Sequence, residues 1–277
     1  MVLAGLMLTA SFLAADTPPA APEATEIMRR VAENQERAMA DRAAWVFDQD
    51  VFVRLQRPGG KLAREETRKY VVAPSATGAH RKIVSVEGKI LDGKKEISYN
   101  TAGFRTKNTD IDGALTDSFA REVMWHNRLG PMEFWFPLTA ELQAKYKFTL
   151  EGQEKYQSYD AWRISYREND GQGDWRGEAL IEKNELQPIL LTSEWASKVP
   201  LAVTMALGIS IKQVGAKITY RRLAKDVWFP VTGGGEMKLR VLFFYDRTIA
   251  FRSTDSGFRK TDVQSSIEYE PGDSGPR

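Results

Sequence analysis

Two histidines, His80 and His126, are the only imidazoles in the chain, and cysteine is absent. A serine nucleophile would need one of those histidines, yet no Gly-x-Ser-x-Gly elbow occurs. Without cysteine there is no thiolate catalysis, no disulfide scaffold, no cysteine-ligated zinc and no iron–sulfur cluster. His-Glu-x-x-His, phosphate-loop and dinucleotide glycine patterns are missing as well. Asn108-Thr109-Asp110-Ile111-Asp112-Gly113 opens like a calcium loop, but its twelfth position is Phe119, where a bidentate glutamate is needed. That stretch reads instead as a capped polar loop before a helix. The neighbouring carboxylates Glu65 and Glu66, and Glu182 with Glu185, read as side chains of solvated strands and turns. Nothing sets either pair across a scissile bond. Gly233-Gly234-Gly235 reads as a turn between strands. The chain is therefore read as non-catalytic, with no cofactor and no metal.

The 277 residues suffice for a sizeable core, with 42% hydrophobic and 27% charged residues. The 39 basic and 37 acidic residues leave +2, too balanced for a protein whose main partner is nucleic acid.

Glu26 to Ala44 is predicted to be a helix capped by Thr25. Ile27, Met28, Val31, Ala38 and Met39 share one face, interrupted by Asn34 and Gln35. From Trp45 the hydrophobic period becomes two, through Val51, Val53 and Leu55, then Thr67 to Val72 and Arg81 to Val86. The connections are too short for crossover helices, so the strands form an antiparallel meander. After the middle of the chain, strand patterns return at Tyr146 to Leu150, Ala161 to Tyr166, Glu178 to Glu182 and Ile189 to Trp195. They continue at Ile218 to Leu223, Glu236 to Tyr245, Thr248 to Arg252 and Val263 to Tyr269. Ten to twelve strands at this spacing predict a large sheet or barrel.

Two segments break the rhythm. Thr116 to Arg128 has helical spacing and stops at Gly130-Pro131, after which Met132 to Leu138 (MEFWFPL) is bent and strongly aromatic. Lys198 to Ile211 (KVPLAVTMALGISI) is nearly uncharged; its period fits a strand or a short helix. The preferred reading is a short apolar helix or flap entering a strand at Ile209, with Trp195 and Trp228 near its edges. The alternative is a fixed core element.

Val2 to Ala15 is apolar and uncharged, of signal-peptide core length and too short to span a bilayer, although no Lys or Arg precedes it. The alternative is a buried N-terminal helix. Residues 1–15 are read as a signal peptide, 16–25 as a Pro/Ala-rich linker and 26–270 as one domain. Residues 271–277 are read as a disordered tail. This places the protein in the periplasm, with no transmembrane span in the mature chain.

The apolar leader before Glu26 to Gln35 (EIMRRVAENQ), the strand–turn–strand unit Tyr146 to Arg167, and the amphipathic stretch Ile218 to Phe251 together resemble one family. It is the periplasmic outer-membrane lipoprotein-sorting proteins of the LolA/LolB type. The similarity spans most of Glu26 to Tyr269, and Thr109 to Leu138 stands out as an insertion-like block. The resemblance implies a mainly β fold: an unclosed antiparallel barrel with a few helices covering its concave face. It implies a carrier or sensor of a hydrophobic ligand, such as the acyl chains of a lipoprotein or lipid, with envelope proteins as further partners. Trp125, Met132, Phe134, Trp135 and Phe136 are then expected to line or plug the concave face, with ordinary core packing as the alternative, and Leu201, Val203, Met205 and Leu207 to contact the ligand from a flap at its mouth. The reading from another class is a structural or protein-interaction domain of the envelope, the same sheet with a filled core.

Overall fold

The structure, a computed structural model, describes residues 23–75, 78–123, 136–169, 175–195, 209–241 and 245–261. Eleven strands form a single antiparallel sheet among these residues. In chain order they are β1 (Trp45–Gln56), β2 (Leu62–Ser75), β3 (Gly78–Asp92), β4 (Lys95–Tyr99), β5 (Tyr146–Tyr156) and β6 (Tyr159–Glu168). Then come β7 (Trp175–Glu182), β8 (Pro188–Trp195), β9 (Ile209–Ala224), β10 (Val227–Val241) and β11 (Tyr245–Lys260). The spatial order is β4-β3-β2-β1-β11-β10-β9-β8-β7-β6-β5.

Two meanders explain that order. The chain runs outward from β1 to β4, crosses to the far edge, and returns strand by strand from β5 to β11. The first strand then pairs with the last: Val51 lies opposite Ser253, and Val53 opposite Phe251. β4 and β5 end the sheet and do not pair with each other, so the barrel stays unclosed. Alternation sets which side chains face inward, since successive residues of a strand point to opposite faces. On β1, Phe47, Gln49, Val51, Val53 and Leu55 are buried, while Asp50 and Arg54 are exposed.

The helices lie over the inward face. α1 (Ala24–Arg42) buries Ile27, Met28, Val31, Ala32, Gln35 and Ala38 against the sheet, the spacing that makes one helical stripe. α2 (Ile111–Ser118) continues into a π-helical turn (Phe119–Val123), and α3 (Ala140–Gln143) is one short turn before β5. One apolar core joins α1, Phe119, Ala120, Phe136 and Leu138 to the inner residues of β1, β2 and β6 to β11. The fold is the predicted one: mainly β, an unclosed antiparallel half-barrel with a few helices over its concave face.

Several local expectations change. α1 starts at Ala24 with Glu23 as its N-cap, so Thr25 lies inside the first turn and makes no cap, and the linker reading ends before Ala24. Asn34 and Gln35 do not interrupt the packing face but belong to it. α2 begins at Ile111, five residues before the predicted Thr116, because Asp110 caps it by accepting from the Gly113 amide at 2.8 Å. Gly233-Gly234-Gly235 is not a turn; it lies inside β10, paired with Ile218, Lys217 and Ala216 of β9 and with Ser253, Arg252 and Phe251 of β11. The physical reason is crowding. A Cβ on Gly235 would stand 2.0 Å from the Gly215 carbonyl oxygen, so the strand needs glycine there. The predicted strand at Val263 to Tyr269, the leader and the tail lie outside the described residues.

Candidate functional site

The concave face is the candidate site, and it has two unlike ends. Toward β6 to β10 it is apolar, built from Ile164, Ile181, Leu191, Ile218 and Leu239. α1 covers this end and is clasped there. The Arg42 Nε donates to the Trp228 carbonyl oxygen at 2.8 Å, and its Nη2 donates to the Gln35 Oε1 at 3.0 Å. Gln35 Nε2 in turn donates to Gln187 Oε1 at 2.6 Å, and Asn34 Nδ2 donates to the Glu185 carbonyl at 2.7 Å. Trp228 donates its indole hydrogen to Glu185 Oε2 at 2.6 Å. These bonds satisfy polar groups that burial would otherwise penalise.

Toward β2 the same face turns charged. The inward row of β2 is Arg64, Glu66, Arg68, Tyr70 and Val72, all buried. The side chains of Arg64, Glu66 and Arg68 are each 1% exposed. Arg64 lies 4.5 Å over the Tyr99 ring, donates from Nε to the Tyr99 hydroxyl at 2.8 Å and from Nη2 to the Phe104 carbonyl at 2.7 Å. The Tyr99 hydroxyl donates to Glu66 Oε2 at 2.6 Å. Burial, and then its bond to Glu66, push the Tyr99 phenol well above its ordinary range. Arg68 donates from Nε to Glu66.

α2 supplies the remaining counter-charges. Asp110 faces Arg64 Nη1 at 3.2 Å, and Asp117 accepts from Arg68 Nη2 at 2.8 Å. Asp112 takes a bidentate pair from Arg247 of β11, at 2.7 and 3.1 Å. Gly113 lets the helix lie directly on the arginine, since a Cβ there would be 2.7 Å from Arg64 Nη1. For Asp110, burial works against the charged form. The Thr106 and Gly113 amides and the Arg64 guanidinium outweigh it and hold its carboxyl below the usual range. The loop that opened like a calcium site is thus committed to a helix cap and two arginines.

The other carboxylate pairs separate in the same way. Glu66 points inward, whereas Glu65 points outward to Arg54 and Lys89 at 2.9 and 3.0 Å. Glu182 is buried rather than solvated, and accepts from the Asn184 and Glu185 amides at 2.9 and 2.6 Å, fixing the turn before β8. His80 is exposed on β3. The outward face carries a groove of about 700 Å³ with Lys147, Arg167, Arg176 and Lys217 at its walls and Gly215 and Gly234 in its lining. Arg176 is paired to Glu194 there at 2.6 Å. Its charged walls suit a polar surface better than an acyl chain.

Of the nine expected site residues, the structure describes Phe136, which is 1% exposed and part of the concave core. Trp125, Met132, Phe134, Trp135, Leu201, Val203, Met205 and Leu207 lie outside the described residues. Trp195 does end the strand that leads into the apolar segment, stacked 6.4 Å from Trp175. Trp228 stands at the start of β10, whose opposite end, Val241, pairs with Ile209, and the apolar segment before Ile209 lies outside the described residues. Sequence reasoning missed the arginine row. The period-two placement of Arg64, Glu66 and Arg68 on the same face as Tyr70 and Val72 was the available signal.

No protein-family model and no curated protein sequence matches the chain. Among solved structures it is similar to a domain assigned to outer membrane lipoprotein sorting from Vibrio parahaemolyticus. The identity is 10%, covering 85% of this chain and 92% of that one, with a TM-score of 0.38. It is also similar to a DUF1329 family protein from Desulfovibrio piger, at 11% identity, 88% and 96% coverage and a TM-score of 0.31. A third is the Mycobacterium tuberculosis lipoprotein LppX, at 11% identity, 84% and 94% coverage and a TM-score of 0.26. Among the described residues no helix is long and apolar enough to cross a membrane. The fold assignment rests on strand order and register: an open antiparallel half-barrel whose concave face is covered by helices, the architecture that the resemblance to lipoprotein-sorting proteins implies.

Proposed function

We propose that the protein is a non-catalytic periplasmic carrier or sensor that takes acyl chains of a lipid or lipoprotein into the concave side of its half-barrel. One observation carries this reading. The inner face of a single open sheet is covered, among the described residues, by helices and not by a second sheet: α1 lies over the apolar end, and the short α2 is held to the charged end by ion pairs. Helices attached in this way can be exchanged for a ligand more readily than a paired strand. Each buried methylene contributes about 0.8 kcal/mol, so an acyl chain offsets the undocking of a short cover.

Trp125, Met132, Phe134, Trp135 and Phe136 are proposed to line the cavity, and Leu201, Val203, Met205 and Leu207 to form a flap over its mouth. Residues 1–15 are proposed as a leader, 16–23 as a linker ahead of a domain over 24–270, and 271–277 as a loose tail. Envelope proteins are proposed as further partners. Native mass spectrometry of the full chain after mild extraction tests the reading: co-purifying lipid supports it, and a clean protein mass with a single cooperative melt counts against it.

The clasp on α1 favours a second reading, a structural or interaction domain with a permanently filled core. Arg42, Gln35 and Asn34 tie this helix to the sheet and to the β7–β8 turn by hydrogen bonds that a sliding cover would have to break.

A further inference from the structure

We propose that the charged end of the concave face binds the anionic head of an amphiphile, and that Asp110, Asp112 and Asp117 of α2 occupy this place in the closed protein. This rests on the carrier reading above and names the ligand class for the same face.

The first ground is the cost of the arrangement. Arg64 and Arg68 are buried beside the wholly apolar row Val51, Val53 and Leu55 of β1. Burying guanidiniums is expensive unless each is paired, and apolar residues would dock α2 at less cost. The second ground is the source of the pairing. Three of the four carboxylates that face Arg64, Arg68 and Arg247 come from one short helix and its cap, and only Glu66 belongs to the sheet. With α2 docked, three guanidiniums meet four carboxylates; with α2 withdrawn, they meet one. The sheet is thus built to receive negative charge from outside itself.

The third ground is an unused donor. Arg68 Nη1 is buried and has no hydrogen-bond partner among the described residues, although Nε is taken by Glu66 and Nη2 by Asp117. A phosphate or carboxylate oxygen pair can accept from both terminal nitrogens of a guanidinium at once, the geometry in which arginine surpasses lysine. The apolar track beginning at Val51 and Val53, with Phe119 against Phe251 at 5.6 Å, lies beside this head site and suits the acyl part. Binding is an exchange of ionic partners, with no covalent step: the ligand's anion takes the arginines as the aspartates of α2 leave them.

The test uses the full chain with three probes: lysophosphatidylglycerol, lysophosphatidylcholine of the same acyl chain, and inorganic phosphate, each titrated by calorimetry. The anionic lysolipid is expected to bind at least about tenfold more tightly than the zwitterionic one, and inorganic phosphate far more weakly than either. The paired variant Arg68→Gln/Asp117→Asn removes one guanidinium and one carboxylate together, leaves Glu66 with Arg64 and the Tyr99 hydroxyl, and should abolish most of the anionic preference while retaining the zwitterionic lipid. Arg247→Gln/Asp112→Asn provides the same test if the first variant does not fold. Equal binding of the two lysolipids, or a preference unchanged in both paired variants, overturns the head site and leaves the carrier reading standing. Phosphate binding as tightly as the anionic lysolipid overturns the amphiphile. Failure of both lysolipids to bind overturns the carrier reading together with the inference.

Discussion

Arg42, in the last turn of α1, donates its Nε hydrogen to the carbonyl oxygen of Trp228, 186 residues further along the chain. This bond joins the one long helix among the described residues to the start of β10. The guanidinium also stands 5.7 Å from the ring centroids of Tyr220 and Phe229, so one side chain gathers helix, β9 and β10. Arg42→Ala is expected to cost about 1.5–3 kcal/mol, the range for hydrogen bonds to a charged group. A urea titration followed by tryptophan fluorescence checks it; an unchanged midpoint would show that the clasp adds nothing to stability.

Phe136 is the expected ligand-face residue that the structure places, and it is buried in the main core. Phe136→Ala is expected to lose about 3–5 kcal/mol, the range for emptying a packed aromatic site. Equilibrium denaturation measures this. A loss below about 1 kcal/mol would mark the residue as a displaceable plug instead of core.

The glycines of the sheet differ in what they permit. A Cβ at Gly235 would meet the Gly215 carbonyl oxygen at 2.0 Å, whereas a Cβ at Gly215 would meet nothing within 4 Å. Gly235→Ala should therefore destabilise by about 1–3 kcal/mol through forced separation of β9 and β10. Gly215→Ala should stay within about 0.5 kcal/mol of the parent. Thermal melts of the two variants side by side decide the matter, and equal melts would contradict the crowding.

Asp110 gives a pH signature. Its carboxyl is held below the ordinary 3.8 despite burial, by the Thr106 and Gly113 amides and Arg64. A depressed folded-state pKa contributes stability that is fully present above the unfolded value and is lost as pH falls through the folded one. Asp110→Asn keeps a capping side chain but removes the charge opposite Arg64. The parent should melt higher than this variant near neutral pH, and the gap should close as the pH drops below 3.8 toward the lowered pKa. A gap that stays constant over that range would separate Asp110 from the docking of α2.

The period-two runs from Val51 to Arg252 carried the strand content, and the balanced charge and missing cysteine set aside whole classes of chemistry. The stripe Ile27, Met28, Val31 and Ala38 carried α1 as well. These features were legible because alternation and helical spacing are local: a residue's neighbours in sequence determine which face it joins. Three things were decided by the tertiary structure. The pairing of β1 with β11 places residues some two hundred positions apart side by side, and no local pattern encodes that partner. The Gly233 to Gly235 triplet read as a turn because glycine usually frees the backbone, yet here it is needed for close approach of the Gly215 carbonyl, a contact made across strands. Glu66 read as a solvated strand carboxylate, since charge normally faces water, and its neighbours Arg64 and Arg68 drew no reading at all. They face inward because α2 brings Asp110 and Asp117 to them, and only this long-range pairing makes their burial affordable in free energy.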